Sequence, residues 1–271
     1  MEPFVSDFAA ALDRMASYST DGRLSNLEHL IEVEHKLPGC LLFDEAAAEA
    51  SIAAAIHKRL ADDGGPLARL PLPIFCGRLP DALAETAARA ISARASPRLW
   101  RKIERLAAAG LGVYVYWYPS VPLRAWSCRA NGQAGTAMCD GWIGLAARLL
   151  RAGFLPTTAR SFGRGQCCDP QNAVVDGGFA DLDSVVPIAQ IGAQQDLFVA
   201  VHATIRELAA TILHVLGSDG SAAAAFGENR RMIRQVVWQR LAQACREHAD
   251  SRLTPFFDAG HSVSSMVQSM E

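Results

Sequence analysis

Residues 194–216 read QQDLFVAVHATIRELAATILHVL. Leu197, Phe198, Val201, Ile205, Leu208, Ile212 and Val215 recur every three or four positions, which lays them along one stripe of an α-helix. A second long helical run, 226–248, follows the break at Gly217-Ser218-Asp219-Gly220. Two long helices of this kind must bury their stripes against other elements, so a helical core is the expectation.

The reading extends outward from there. Residues 140–152 look helical, and Gly153 suits the left-handed cap that ends a helix. Towards the N-terminus, Phe4, Phe8, Ala11, Leu12 and Met15 keep helical spacing. Residues 26–35 form a further candidate helix, stopped at Pro38-Gly39. The Ala-rich run 44–61 closes at Asp62–Pro66, and 81–94 and 97–109 follow Pro80 and Pro97. Val113-Tyr114-Val115-Tyr116-Trp117-Tyr118, ended by Pro119, is the clearest strand. Residues 119–136 read as loop, and 154–192 is punctuated by Gly, Asp and Pro. The expected fold is mainly α with a small β-sheet, in one compact domain over 1–271. Helices fill 1–110, strand and loop the irregular centre 111–192, and long helices 193–250.

Composition narrows the function. The chain has 26 Lys plus Arg against 28 Asp plus Glu, a net charge of −2, so no cationic excess draws it to nucleic acid or an anionic membrane. Half of its residues are apolar, which excludes disorder for most of the chain. No uninterrupted apolar run reaches the roughly 18 residues of a spanning helix. The opening Met1-Glu2-Pro3-Phe4 lacks the basic stretch of a secretion signal. A soluble, cytoplasmic chain is the expectation. Its 7 cysteines cannot all pair within the chain, and no Cys-x-x-Cys spacing suggests structural zinc. Free thiols in a reducing compartment follow.

Two stretches concentrate chemistry. In Pro73-Ile74-Phe75-Cys76-Gly77-Arg78, a glycine after the cysteine can turn backbone N–H groups towards the sulfur, as a haem-ligating thiolate requires. Arg78 can pair with a haem propionate or stabilise the thiolate. The same residues also suit a buried cysteine before a turn. The second stretch runs from Gly163 to Ser184. Asp176, Asp181 and Asp183 flank Gly177-Gly178, and carboxylates in such a setting can grip a guanidinium or an ammonium. They can equally shape a tight turn. Asp169, Asn172 and Asp176 also resemble the catalytic and magnesium-binding elements of aminoglycoside-type kinases, at spacings shorter than those enzymes use.

Other candidates are weaker. His248-Ala249-Asp250 is half of a two-His-one-carboxylate iron site, and Glu32-Val33-Glu34-His35 is half of a helical di-iron motif. His202 lies on the border of the apolar stripe of 194–216, where it can ligate a metal or sit at the core edge. Arg206 follows one turn later and can serve a propionate or a carboxylate. Tyr114, Tyr116 and Tyr118 share one face of the strand, with Trp117 on the other, so these rings suit a cofactor pocket wall or a partner surface.

The chain length, Cys76-Gly77-Arg78 and the Asp176–Asp183 loop together resemble the small bacterial haem-dependent L-arginine Nω-hydroxylases, which supply hydroxyarginine for D-cycloserine and diazeniumdiolate siderophores. Cys76-Gly77-Arg78 is also similar to the Cys-x-Gly-Arg ligand loop of nitric oxide synthases, with one residue fewer. The resemblance implies haem b, O₂ and an external electron donor. Cys76, or alternatively His202, would hold the iron. Arg78, Arg206 and Trp117 would contact the cofactor, and Asp176, Asp181 and Asp183 would bind the guanidino substrate. A magnesium- and nucleotide-dependent transferase using Asp169, Asn172 and Asp176 is an alternative. A non-catalytic helical binding or assembly protein is another, and the Ala-rich helices are compatible with a homodimer.

Overall fold

The structure, a computed structural model, describes residues 9–13, 16, 25–33, 35–38, 41–62, 69–120, 123–125, 132–157, 167–182, 184–216, 226, 229–245 and 251–258. The fold is mainly α, with a three-stranded antiparallel sheet and a two-stranded one. Read from sequence as one domain, the chain gathers into two compact units, Met1–Ser51 with Pro73–Tyr116 and Ile52–Leu72 with Trp117–Glu271.

In the first unit, α1 (Asn26–Glu32) starts at Ser25, whose Oγ accepts the Glu28 N–H at 3.2 Å. The Ser-x-x-Glu spacing is that of a capping box. Here, however, the Glu28 carboxylate reaches out to the Ser96 N–H at 3.1 Å. The helix ends earlier than its periodicity suggests. His35 takes a left-handed φ of 56°, and the Lys36 N–H bonds back to the Leu30 carbonyl at 3.0 Å. Glu32 and His35 are therefore not neighbours on one helical face, and Glu32 bonds Arg98 at 2.8 Å instead. That removes the geometric basis of the di-iron half-motif.

The sheet of this unit runs β1–β3–β2, with β1 (Leu41–Leu42), β2 (Leu72–Arg78) and β3 (Leu111–Trp117). Leu41 pairs with Gly112 and Leu42 with Leu111. The start of α2 (Phe43–Asp62) lies directly on the sheet, because a Cβ at Gly112 would stand 2.8 Å from Phe43 Cα. Helices α3 (Asp81–Ser92) and α4 (Trp100–Ala108) connect β2 to β3. On α3, Ala84, Ala88 and Ile91 are buried at helical spacing, and Ile103 is the buried residue of α4. They join Leu12, Leu27, Ile31, Leu37, Leu99 and Leu111 in a core of their own.

The second unit is built on three helices, α5 (Gly132–Arg151), α6 (Gln194–Leu216) and α7 (Arg230–Cys245). Every predicted stripe residue of α6 except Phe198 is buried, and Phe198 packs half-buried against the same core. By length and composition α6 could cross a membrane, yet 61% of its apolar window is buried inside the protein, as in a core helix. Asp140 pairs with Arg240 between α5 and α7, and the Arg240 guanidinium lies 4.6 Å from the centre of the Phe226 ring. A two-stranded antiparallel sheet of β4 (Phe154–Leu155) and β5 (Val186–Pro187) lies beside them. The short α8 (Thr254–Asp258) brings Phe256 and Phe257 into the core.

Three local readings change. Residues 73–78 form most of a strand rather than a turn, despite Pro73 and Gly77. A Cβ at Gly77 would stand 2.5 Å from Phe75 Cζ, so the Phe75 ring covers the gap that the glycine leaves on its face of the sheet. Strand β3 starts at Leu111 and stops at Trp117, so Tyr118 lies just beyond it. Helix α5 begins at Gly132 instead of 140.

Candidate functional site

The Asp-Gly-Gly segment of the second unit forms a tight hairpin. Ala173 and Phe179 make an antiparallel bridge, the Val174 N–H bonds the Gly178 carbonyl at 2.8 Å, and the Gly177 N–H bonds the Val174 carbonyl at 3.0 Å. Three residues, Val175, Asp176 and Gly177, make the loop. In such hairpins the third position is left-handed, and Gly177 takes it with a φ of 86°. Segment Leu123–Ala125 lies alongside as a third partner. Val175 N–H bonds the Leu123 carbonyl at 3.0 Å and Ala125 N–H bonds the Ala173 carbonyl at 2.8 Å.

Asp176 is the hub of this hairpin. Its Oδ1 accepts the Gly178 N–H at 2.9 Å and the Tyr118 hydroxyl at 3.2 Å, and its Oδ2 accepts the Ser120 hydroxyl at 2.5 Å. Tyr118 also donates to the Arg69 carbonyl at 2.9 Å. Burial, and then the Asp176 carboxylate, raise the Tyr118 pKa far above its ordinary value, so the phenol stays a donor. Arg69 and Arg124 act on it in the opposite sense, and Arg69 Nη1 lies 3.4 Å from where a Cβ on Gly177 would stand. Arg124 Nη1 donates to Asn172 Oδ1 at 3.3 Å, and Asn172 is buried.

The glycines bring the layers together. A Cβ on Gly178 would stand 2.0 Å from the Tyr118 hydroxyl and 2.3 Å from the Arg69 carbonyl. A Cβ on Gly141 of α5 would stand 2.8 Å from the Gly177 Cα, backbone against backbone. Beside that contact, the fully buried Trp142 donates its Nε1–H to the Val174 carbonyl at 2.9 Å. The base of the hairpin is anchored too. Thr211 of α6 donates to the Cys168 carbonyl at 2.6 Å, and the Cys167 N–H bonds Ser184 Oγ at 2.7 Å.

The residues singled out in the sequence fall as follows. Asp176 holds the hairpin, as a turn-forming aspartate does. Asp169 works similarly, accepting the Gln171 N–H at 2.8 Å on Oδ1. Asp181 directly follows Ala180, whose N–H bonds the Asn172 carbonyl at 2.9 Å, so it stands at the open end of the hairpin. Asp183 lies outside the described residues, as do His248, Asp250 and His261. Cys76 and Arg78 belong to the first unit, whereas the hairpin, His202 and Arg206 belong to the second.

Cys76 is half-buried within regular strand β2, as a free thiol. Gly77 continues the strand and is not among the left-handed glycines. The turn that would aim N–H groups at the sulfur is therefore not made, and these residues do not fit a thiolate haem ligand. Trp117 is exposed at the end of β3. His202 is half-buried, as its border position predicts, and its ring meets Phe256 edge-on at 5.2 Å. Among the described residues its Nδ1 is buried without a hydrogen-bond partner, and burial lowers its pKa. Arg206 donates to the neighbouring Glu207 at 3.1 Å. Among the described residues, no three His, Cys, Asp or Glu side chains group to hold a metal ion.

Arg69, Ser120 and Arg124 escaped the sequence reading. Each is an ordinary residue in its local segment, and only the fold brings it to Asp176. No family model, no curated protein and no solved structure matches the chain.

Proposed function

We propose that the protein is a small-molecule transferase whose second unit holds a phosphate-bearing substrate at the Asp176 hairpin. The observation that carries this reading is the pair of guanidinium groups at the hairpin: Arg69 Nη1 lies 3.4 Å from where a Cβ on Gly177 would stand, and Arg124 Nη1 donates to Asn172 Oδ1 at 3.3 Å. Planar guanidinium forks suit phosphate oxygens. Asp181, next to Asn172 at the open end of the hairpin, is the carboxylate assigned to accept a proton from a substrate hydroxyl. Asp169 and Asp176 are positioning residues. Their carboxylates already accept backbone or hydroxyl donors, so they do not fit a magnesium cage. A divalent cation at such a site would arrive largely on the substrate's phosphates.

Thermal melts with ATP and with inorganic phosphate, each with and without Mg²⁺, test the reading. A ligand at 100 times its Kd should stabilise by about 2.7 kcal/mol, and Arg69→Ala and Arg124→Ala should remove the shift. No shift with any phosphate ligand would overturn it. Haem-dependent hydroxylation of a guanidino amino acid is separated by the absorption spectrum. A Soret band in protein from haem-supplemented cells, altered by Cys76→Ala, would replace the transferase reading.

A further inference from the structure

Strand β2 is an edge of its sheet, because the order is β1–β3–β2. An edge strand presents unpaired backbone donors and acceptors, and proteins normally blunt it with charge, proline or a bulge. The middle of β2 carries none of these. Ile74 and Phe75 are consecutive, so they point to opposite faces of the sheet, yet they are 64% and 56% exposed. Val115, on the adjoining strand β3, is 44% exposed.

The parity of the strand says which backbone groups face outward. The Leu79 N–H bonds the Leu111 carbonyl at 2.8 Å, across to β3. In an antiparallel ladder every second residue turns both its N–H and its C=O to the same side. Odd-numbered residues of β2 therefore face β3, and Leu72, Ile74, Cys76 and Arg78 face out. Pro73, which has no N–H, falls on the inner side, so it leaves no gap in the outward row.

We propose that this edge pairs with β2 of a second copy of the chain, antiparallel about a two-fold axis. The symmetric register that uses the whole strand puts Ile74 opposite Cys76 of the second copy, Leu72 opposite Arg78 and Phe75 opposite Phe75. Both outward-facing pairs, Ile74 with Cys76 and Leu72 with Arg78, are then hydrogen-bonded pairs with full donor and acceptor sets. An isologous contact of this kind closes on itself and leaves no new β2 edge for further growth. Ile74, Phe75 and Val115 leave on the order of 300 Å² of apolar surface per copy. Because these side chains stand on both faces of the sheet, edge pairing covers only part of this area, and two copies would bury less than roughly 600 Å² of it besides the paired backbones, under the ~1,200 Å² of a standard stable interface. The dimer is therefore weak and reversible, and its formation is independent of the substrate reading for the second unit.

Sedimentation equilibrium of the full chain from about 1 to about 200 µM tests this. The mass should rise from 29.1 kDa towards twice that value as concentration increases. Ile74→Lys should raise the dimer Kd at least tenfold, because two charges would have to be desolvated against apolar partners. Ile74→Pro should do the same by deleting an outward N–H while sparing the bonds to β3. Circular dichroism checks that both variants fold. A constant 29.1 kDa throughout, or a dimer that neither folded variant weakens, would overturn the proposal.

Discussion

Gly141 and Gly144 lie one turn apart on α5, and the structure predicts opposite effects for the same substitution. Gly144 is exposed, and nothing among the described residues lies within 4 Å of where its Cβ would be. Gly144→Ala should therefore return only the helix-propensity gain, about 0.8–1 kcal/mol. Gly141→Ala gains the same amount and meets a backbone. Its Cβ would stand 2.8 Å from the Gly177 Cα, against an ordinary carbon–carbon separation of about 3.5–4.0 Å. The α5 helix and the hairpin must separate by about 1 Å to admit it. Trp142 is the next residue on α5, and its 2.9 Å bond to the Val174 carbonyl lies beside that contact. The separation stretches the bond beyond useful length, leaving a buried donor unpaired at a cost of about 1–3 kcal/mol. Overpacking adds about 1–3 kcal/mol. Subtracting the propensity gain leaves Gly141→Ala destabilised by about 1–5 kcal/mol. In thermal melts, Gly144→Ala should rise by about 2–4 °C and Gly141→Ala should fall by at least about 2 °C. Equal melting temperatures for the two variants would refute the close-contact argument.

Three further outcomes follow from the same geometry. Asp176→Ala should cost about 2–4 kcal/mol in urea melts, because it strips partners from Tyr118, Ser120 and the Gly178 N–H, whereas Asp176→Asn should cost less. His57 and His202 both have pKa values lowered by burial from 6.5. The unfolded chain then binds more protons than the folded one just below that value, so their contribution to stability is complete above about pH 6.5 and is lost as pH falls through the lowered values. Melting temperatures from pH 8 to 5 should decline less steeply in His57→Gln/His202→Gln than in the parent. Burial pushes the thiols of Cys139 and Cys245 up to about 12, so iodoacetamide at pH 8 should leave both unlabelled in the folded protein and label them in urea, as read by peptide mass mapping.

The helices were legible because each writes its burial into local spacing. Leu197, Val201, Ile205, Leu208 and Ile212 are periodic, and they are buried. Strand β2 was not legible. Pro73 and Gly77 look like turn residues, and what makes Gly77 tolerable is the Phe75 ring folded over it, a tertiary fact. At the candidate site, the concentration of Asp and Gly at 176–178 was visible, and the turn alternative for it was already open. The partners were not visible, since Ser120 and Tyr118 lie 56 and 58 positions away from Asp176 in sequence, and no short-range spacing encodes such a pair. The Cys-Gly pair misled because glycine permits a turn without requiring one, and here the edge strand claims it.

The wiring of Asp176 also constrains the order in which the protein is made. Its hairpin draws together the segments around Arg69, Tyr118 and Val174, which leave the ribosome far apart in time. Until residue 178 has emerged, Tyr118 lacks its carboxylate, Trp142 lacks its acceptor, and Gly141 faces no backbone. Helix α5 can form earlier, but the layer that locks it in place cannot. Such long-range closure is slow compared with helix formation. A nascent chain paused before residue 167 would hold the Trp142 donor unpaired and the hairpin's apolar seat uncovered, which makes this interval the one in which a chaperone would matter most.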